Sequence, residues 1–456
     1  MLDWIDSNTP YEVSQTVTVS STSGSVDGGT LRASASGNIE AGAFNIFDQI
    51  VSANQFLATT TASCGSYECE TLATAAKAHV YWAPGVDPNE RLTGVSFAPL
   101  SFVATSLEPV SMFILGGVDG DTTIRDTDHF DNSVILHEYA HFLEYTYSAF
   151  DSKGGPHDGD SILDPRLAWS EGFANFFQAA VTGDPTYIDT IGNCEGSTGF
   201  GFYETLETAA GDIASESGEG NFREFSVSRA LWDYIDPHPI EGTGTNESGI
   251  DNVTLDFAAI WSVFTSENLG LKNANLALRN YGTFANLLVQ VDNGSSDIQS
   301  VLTAENQKAS EEDFAQSLAV TGSDCASVFI QGDPNQGTLD STNLFTSNDF
   351  YKINHTGGDL SVSLQYTPVN SSAYTDLDLY IYSSEFFGVE YTRESEGLLA
   401  RSELPFTSEN GTETLTLSDR AAGTYVINVR VSANTVTQVG SNYQLYLGGQ
   451  RLCDND

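Results

Sequence analysis

The sequence predicts an α+β protein in which a mainly helical domain with a small N-terminal mixed sheet precedes an all-β sandwich domain. Apolar residues recur at helical spacing in five segments, near 133–147, 166–181, 224–235, 255–265 and 274–290. From about residue 326 the pattern changes to alternating apolar and polar residues between turn clusters. Two short apolar runs, 79–82 and 111–115, end at turn residues and predict strands of the small sheet.

The chain of 456 residues is too long for one ordinary core, and the changes of pattern divide it into three parts. Residues 1–37 are rich in Ser, Thr and Gly and predict an edge strand or linker. Residues 38–325 form the predicted helical domain, which begins with a helix over about 39–57. Residues 326–456 form the predicted β-sandwich, and turn-forming residues place the boundary near 320–345.

Charge excludes two classes of partner. Acidic residues outnumber basic ones by 62 to 17, which gives a net charge of −45. Such a charge repels phosphate and anionic lipid headgroups, so nucleic acid and membrane surfaces are excluded, and it suits salty or extracellular surroundings. No run of about 18 apolar residues is present, so no membrane insertion is predicted. The first residues lack the parts of a signal peptide, and a mature, monomeric chain is expected.

The five cysteines show neither paired Cys-x-x-Cys spacing nor a Cys/His nucleophile motif, so disulfides are the favoured role. Cys64 and Cys69 could close a short loop. Cys325 and Cys453 could join the two ends of the C-terminal region, which leaves Cys194 unpaired. Such bonds form in an oxidising compartment, as export from the cell would provide.

A metal-binding pattern lies in the first helical segment. His137-Glu138-x-x-His141 falls in an apolar-periodic run without Pro or Gly, so both histidines project from one helix face about one turn apart. Both imidazoles can then reach one zinc ion at ~2.0–2.1 Å. Glu138, offset by one residue, can hold the zinc-bound water and take its proton. The alternative is a pair of hydrogen-bonded core histidines.

A catalytic zinc needs a third protein ligand, and the next helical segment supplies Glu171 as a single carboxylate among aromatic and small residues. An unpaired ionised Glu there would cost several kcal/mol, which binding to Zn²⁺ removes. Gly172 and Ala174 are small enough to let this helix approach the first one. Together the two segments favour a metal site over a histidine core.

The two motifs, His137-Glu138-x-x-His141 and Glu171-Gly172-x-Ala174 about thirty residues later, resemble the gluzincin zinc metallopeptidases. The Glu-Gly-x-Ala pattern is similar to that of the bacterial collagenases. The resemblance covers about 45 residues. It implies a zincin-type catalytic domain and a secreted bacterial enzyme, an endopeptidase that acts on protein or peptide substrates.

The resemblance also implies roles for individual residues. His137, His141 and Glu171 would be the zinc ligands, and Glu138 would be the base and then the acid to the leaving amine. Thermolysin-like gluzincins place an Asp four residues after the ligand Glu, where it orients a zinc histidine. Here Asn175 stands at that position, and its amide could still accept from an imidazole N–H. The chain lacks the large helical activator domain of collagenases, so collagen cleavage is not implied.

Two further positions carry predictions with alternatives. Arg229, in a later helical segment, is the first candidate for donating to the oxyanion of a tetrahedral intermediate. The alternative is an ion pair with Asp233 at i+4. The strand 112–115 could be an edge strand that pairs with the substrate backbone, and the alternative is an ordinary buried strand.

Acidic loops at 119–128 and 151–164 flank the motif helix, and their oxygen ligands suit Ca²⁺. Their spacing does not follow the EF-hand pattern, so solvated loops are the alternative. His157 in the second loop is interpreted as stabilising a turn, with a role at the metal or toward substrate as the alternative.

The C-terminal region resembles the pre-peptidase C-terminal domain of secreted bacterial peptidases over about 110 residues, through the segments 348–353, 375–382 and 423–429. The resemblance implies a binding or secretion-associated role, and a passive appendage is the alternative. Asp376 and Asp378 would share one sheet face.

The rival to an enzyme is an extracellular binding or adhesion protein on a peptidase-like scaffold, with a structural zinc or none. Glu138 separates the two, because only water activation requires it. An exopeptidase is a third possibility.

Overall fold

The structure, a computed structural model, describes residues 9–18, 27–33, 41–62, 64, 68–72, 75–93, 99–150, 152, 154, 157–159, 161–192, 200–207, 220–236, 255–268, 270–272, 279–291, 296–305, 307, 316–319, 328–330, 348–368, 376–383, 397–405, 411–432 and 440–454. The chain divides into two compact units. Unit 1 comprises Met1–Ser63, Thr71–Thr146 and Phe173–Leu206. Unit 2 comprises Cys64–Glu70, Tyr147–Gly172 and Glu207–Asp456. The predicted boundaries of three domains stay a prediction.

Helices and short strands alternate in the first half of the chain. In order they are α1 (Ala41–Thr60), β1 (His79–Tyr81), α2 (Pro88–Thr93), β2 (Phe102–Ala104), β3 (Ser111–Phe113), α3 (Asn132–Tyr147), α4 (Pro165–Thr182), β4 (Thr186–Ile191) and β5 (Phe200–Thr205). The helices α1, α3 and α4 correspond to segments that the periodicity predicts.

The small sheet has the strand order β1-β3-β2. β1 pairs with β3 in parallel and β2 pairs with it antiparallel, so the sheet is mixed as predicted. Because β3 is hydrogen-bonded on both sides and buried at each residue, the prediction that this strand is an open edge for substrate is wrong. The ordinary buried strand is the correct alternative.

Helix α3 is buried along most of its length, with Ile135, Leu136 and Leu143 fully covered. Its Tyr139 hydroxyl donates to Asn54 of α1 at 2.9 Å, which ties the two helices together within unit 1. At the N-terminus of α3, the Thr190 amide and hydroxyl both donate to the Asp131 carboxylate at 2.9 Å. This contact fastens the β4–β5 hairpin beside the start of α3.

Four further helices lie in unit 2: α5 (Glu224–Trp232), α6 (Phe257–Thr265), α7 (Tyr281–Val291) and α8 (Ser296–Ala304). Every residue of α6 is buried. The ring of Trp169, near the start of α4, stacks on Phe284 of α7 with centroids 4.8 Å apart. The hydroxyls of Tyr234 and Tyr281 are 2.7 Å apart and join the end of α5 to α7.

The C-terminal region is all-β in its described residues, as predicted. The strands are β6 (Gln316–Ala319), β7 (Val328–Ile330), β8 (Asn348–His355), β9 (Gly358–Pro368), β10 (Leu377–Ser383), β11 (Leu398–Ser402), β12 (Gly411–Arg420), β13 (Gly423–Val431), β14 (Ser441–Leu447), β15 (Gln450–Arg451) and β16 (Cys453–Asp454). One sheet has the order β11-β10-β13-β8-β6-β16, and the other has β12-β9-β14-β15 with β7 on β14.

The two sheets share one apolar core, which makes a sandwich. Alternate residues of β9 and β10, such as Leu360, Val362, Leu379 and Ile381, are fully buried in it. Burial along β9 alternates with the period of two that predicts the strand, whereas β10 is buried on both faces. β6 pairs in parallel with β8, so the sheet includes residues that precede position 326.

Cys64 and Cys69 form a disulfide, as predicted. Cys453 is also disulfide-bonded. Cys325, its predicted partner, and Cys194 lie outside the described residues. Among the helices that the structure describes, none has both the length and the apolar character needed to span a bilayer.

Candidate metal centre

The two motif histidines face each other on α3. Their Nε2 atoms are 3.1 Å apart, and their rings meet edge to face with centroids 4.7 Å apart. Two ligands of one tetrahedral zinc ion, each ~2.0–2.1 Å from the metal, stand roughly 3.3 Å apart. The separation of His137 and His141 therefore fits a pair of ligands to a common ion, and the helical spacing of four residues produces it.

Glu171 joins this pair. One ligand atom from each of His137, His141 and Glu171 lies within 4.8 Å of the other two. Glu171 is 8% exposed, and residues 165–179 of α4 around it are buried. Two imidazoles and one carboxylate are a ligand set that suits Zn²⁺ and leaves a fourth position open. The residues present thus fit the ion that the sequence predicts.

Asn175 contacts the far side of one histidine. Its Oδ1 is 2.7 Å from Nδ1 of His137, so the imidazole donates its Nδ1–H to the amide oxygen. That bond leaves the lone pair of the neutral ring on Nε2, the atom that faces His141. The Tyr187 ring of β4 packs edge-on against the same imidazole with centroids 5.9 Å apart. His137 is therefore held in one tautomer and one orientation.

Glu138 lies beside this group and not in it. The Glu138 side chain is buried at 7% exposure and belongs to none of the three possible metal-binding groups among the described residues. Its position one residue after His137 on α3 puts it next to the two imidazoles.

Arg229 is engaged elsewhere. Its Nε and Nη2 donate to the two carboxylate oxygens of Glu305 at 2.9 and 3.0 Å, and its side chain is 1% exposed. The Ser226 hydroxyl also donates to Glu305 at 2.7 Å. Glu305, 76 residues further along the chain, is therefore a partner of this guanidinium; the ion pair with Asp233 stays a prediction. A buried ion pair thus engages two nitrogens of this guanidinium, and the role of Arg229 as an oxyanion donor stays a prediction.

His157 forms a second group that the sequence analysis did not favour. Its Nε2 lies 3.6 Å from Oε2 of Glu171 and 3.7 Å from Oε2 of Glu224. These three donors also meet the distances for a metal-binding group. A lone histidine in a Gly- and Asp-rich loop gave no periodic signal, and Glu224 stands too far along the chain for spacing to pair them.

A third group consists of Asp126, Asp128 and Asp189, whose carboxylate oxygens lie within 4.8 Å of one another. Burial and then the charge of Asp189 raise the pKa of Asp126 to about 7, and burial raises the pKa of Asp128 well above its usual value. Two of these aspartates lie in the acidic loop 119–128, and β4 supplies the third. The calcium predicted for that loop stays a prediction, as it does for 151–164, where the structure describes only part of the loop.

Comparison with known proteins relates part of the chain to one family. Residues 108–283 match the family model described as the Mycolysin C-terminal domain. This range, less than half of the chain, includes α3, α4 and α5. A comparison with curated proteins finds no match.

Two solved structures share weaker similarity. The pre-peptidase C-terminal domain of a collagenase from Bacillus anthracis is 9% identical, with 26% of this chain and 89% of that chain covered and a TM-score of 0.17. The PliG protein of Aeromonas hydrophila, a periplasmic inhibitor of g-type lysozyme, is 12% identical, with 27% and 87% covered and a TM-score of 0.16. At such TM-scores neither similarity carries an argument about this chain.

Proposed function

We propose that this chain is a secreted, zinc-dependent peptidase of the gluzincin type, with His137, His141 and Glu171 as ligands and Glu138 as general base. The observation that carries the proposal is the convergence of the three donor atoms within 4.8 Å. A second support is the match of residues 108–283 to the Mycolysin C-terminal domain, a domain found in zinc metallopeptidases.

A zinc ion held here would polarise a peptide carbonyl and lower the pKa of a water molecule. The remaining tasks fall to side chains of this chain. Glu138 takes a proton from the attacking water and returns it to the leaving amine nitrogen. Asn175 accepts the Nδ1–H of His137 at 2.7 Å and so keeps Nε2 free of a proton. Burial of Glu138 and Glu171 keeps bulk water from competing for both carboxylates.

Protein or peptide substrates fit this chemistry, and we propose endopeptidase cleavage outside the cell. The Cys64–Cys69 disulfide supports an oxidising compartment. The all-β C-terminal region is proposed to be a pre-peptidase C-terminal-like domain with a role in binding or secretion, on the strength of its strand pattern. A monomer is proposed as the working form.

Cleavage of an unstructured protein tests the activity. The unchanged chain loaded with one equivalent of zinc is expected to cleave it, and a chelator should abolish cleavage until zinc is returned. Glu138→Gln is the matched variant, because it keeps the size of the side chain but removes the base. It should retain the metal and lose hydrolysis by a factor of about 10²–10⁴.

The outcomes separate the proposal from its rival. Zinc retained by Glu138→Gln together with full cleavage would defeat the proposed mechanism. Zinc bound by the unchanged chain without cleavage of any protein or peptide tested would favour the binding protein on a peptidase-like scaffold.

A further inference from the structure

His157 occupies a position between two carboxylates of unit 2. The distances from its Nε2 to Oε2 of Glu171 and to Oε2 of Glu224 are 3.6 and 3.7 Å, so the imidazole is nearly equidistant from both. The Glu171 side chain is 10% exposed and that of Glu224 8% exposed, whereas that of His157 is 28% exposed. The histidine is therefore the most exposed of the three side chains, and it contacts both buried acids.

Close contact between α4 and α5 brings Glu224 to this position. A Cβ added to Gly172 would lie 2.6 Å from Cβ of Val227 and 2.8 Å from the carbonyl oxygen of Glu224. Only glycine allows α4 to meet the first turn of α5 at that distance. Since Gly172 follows Glu171 directly, the same approach draws the side chain of Glu224 toward Glu171. Gly172, next to the proposed ligand Glu171, thus allows the close contact between α4 and α5.

The charges of Glu171 and Glu224 explain why a histidine beside them matters. Two ionised carboxylates that are largely shielded from water repel each other, and a cation or proton donor close to both reduces that repulsion. The Nε2 of His157, within 4 Å of an oxygen of each, offers both carboxylates an attractive partner when it carries a proton. Glu224 gains further support from the first turn of α5, where a negative charge is favoured.

We propose that His157, anchored by Glu224, is a positioning residue that holds the Glu171 carboxylate in the orientation in which it binds metal. The inference rests on the proposed function, because it assigns a purpose to contacts of a proposed ligand. Residues that orient a metal ligand commonly contribute a factor of about 10–100 to metal affinity. His157 would do for Glu171 what Asn175 does for His137.

Zinc affinity, measured by competition with a chromophoric chelator on the full chain, tests this role without any substrate. His157→Ala is expected to weaken zinc binding about 10–100-fold. Glu224→Gln, which keeps the shape but removes the charge, should weaken it by a smaller factor. The matched control is His355→Ala, the same change on β8 of the sandwich, and it should leave affinity unchanged. Equal thermal unfolding of all four chains in excess chelator shows that the fold is intact.

Each other outcome has a definite meaning. Affinity within twofold of the unchanged chain in both His157→Ala and Glu224→Gln, while His137→Ala abolishes binding, overturns the positioning role and leaves the proposed function standing. Two zinc ions on the unchanged chain and one on His157→Ala would make His157, Glu171 and Glu224 a ligand set and also overturn it. No zinc on the unchanged chain overturns the proposed function and this inference together.

Discussion

Replacing Arg229 by Met tests whether this guanidinium serves the fold or the substrate. In the structure both of its donors to Glu305 are within 3.0 Å, and the two side chains are 1% and 5% exposed. The variant keeps much of the side-chain volume but leaves the Glu305 carboxylate buried with the Ser226 hydroxyl as its remaining donor in this network. Removing one partner of such a buried pair costs about 3–5 kcal/mol.

The expected result is therefore a loss of about 3–5 kcal/mol in the free energy of unfolding, measured by urea titration of the transition that reports the helices of unit 2. Trp232, at the end of α5, provides a fluorescent probe near the change. The double variant Arg229→Met with Glu305→Met should recover most of the loss, because an apolar pair leaves no buried charge behind.

The refuting result is equally specific. If Arg229→Met unfolds within about 1 kcal/mol of the unchanged chain, the pair does not hold α5 in place. If it also loses peptide cleavage at unchanged zinc content and stability, Arg229 contacts the substrate, as the sequence alone predicts.

Three further predictions concern single contacts. Asn175→Ala should weaken zinc binding about 10–100-fold in a chelator competition, whereas Asn175→Asp should not. If Asn175→Ala binds zinc as tightly as the unchanged chain, Asn175 does not orient His137. Gly172→Ala should destabilise unit 2 by about 1–3 kcal/mol in thermal unfolding, because its Cβ would meet Val227 at 2.6 Å; no loss would mean that α4 and α5 separate freely. Burial raises the pKa of Asp349 to about 6, above its unfolded value, so the folded state holds a proton that the unfolded chain has released. Its contribution to stability is full below about pH 4 and is lost as the pH rises through 6. The free energy of unfolding of Asp349→Asn, measured by urea titration, should therefore rise relative to that of the unchanged chain between pH 4 and 8. A difference between the two chains that does not change with pH would contradict the raised pKa of Asp349.

Helices and strands with a periodic pattern of apolar residues could be predicted from the sequence. The apolar residues of α3 and α4 recur at helical spacing and those of β9 alternate, and the structure has helices and a strand at those places. Burial alternates along β9, whereas α4 and β10 are buried on all sides. Spacing within one helix likewise predicts that His137 and His141 share a face. Asn175 stands four residues after Glu171, so its reach to His137 follows once the two helices are side by side.

Features that depend on contacts between distant parts of the chain could not be predicted from the sequence. The order of strands in a sheet does not follow from their sequence, so the central position of β3 was missed. The i+4 rule points only to Asp233 as a partner of Arg229 and could not find Glu305, which lies 76 residues away and which the fold brings to the same guanidinium. The β4–β5 hairpin lies inside a zone of helical periodicity and is only six residues long on each side.

The place of His157 at the candidate site could not be predicted from the sequence. Its loop has no periodicity, and the two acids it contacts lie on different helices. The close approach at Gly172 brings those helices together, and nothing in the local sequence shows where such an approach occurs.

Diffraction from crystals of the zinc-loaded chain, collected on both sides of the zinc absorption edge, tests the central claim most directly. The expected result is one anomalous peak about 2 Å from Nε2 of His137, Nε2 of His141 and a carboxylate oxygen of Glu171. A peak elsewhere, or one bonded to the two histidines with Glu171 turned away, would contradict it.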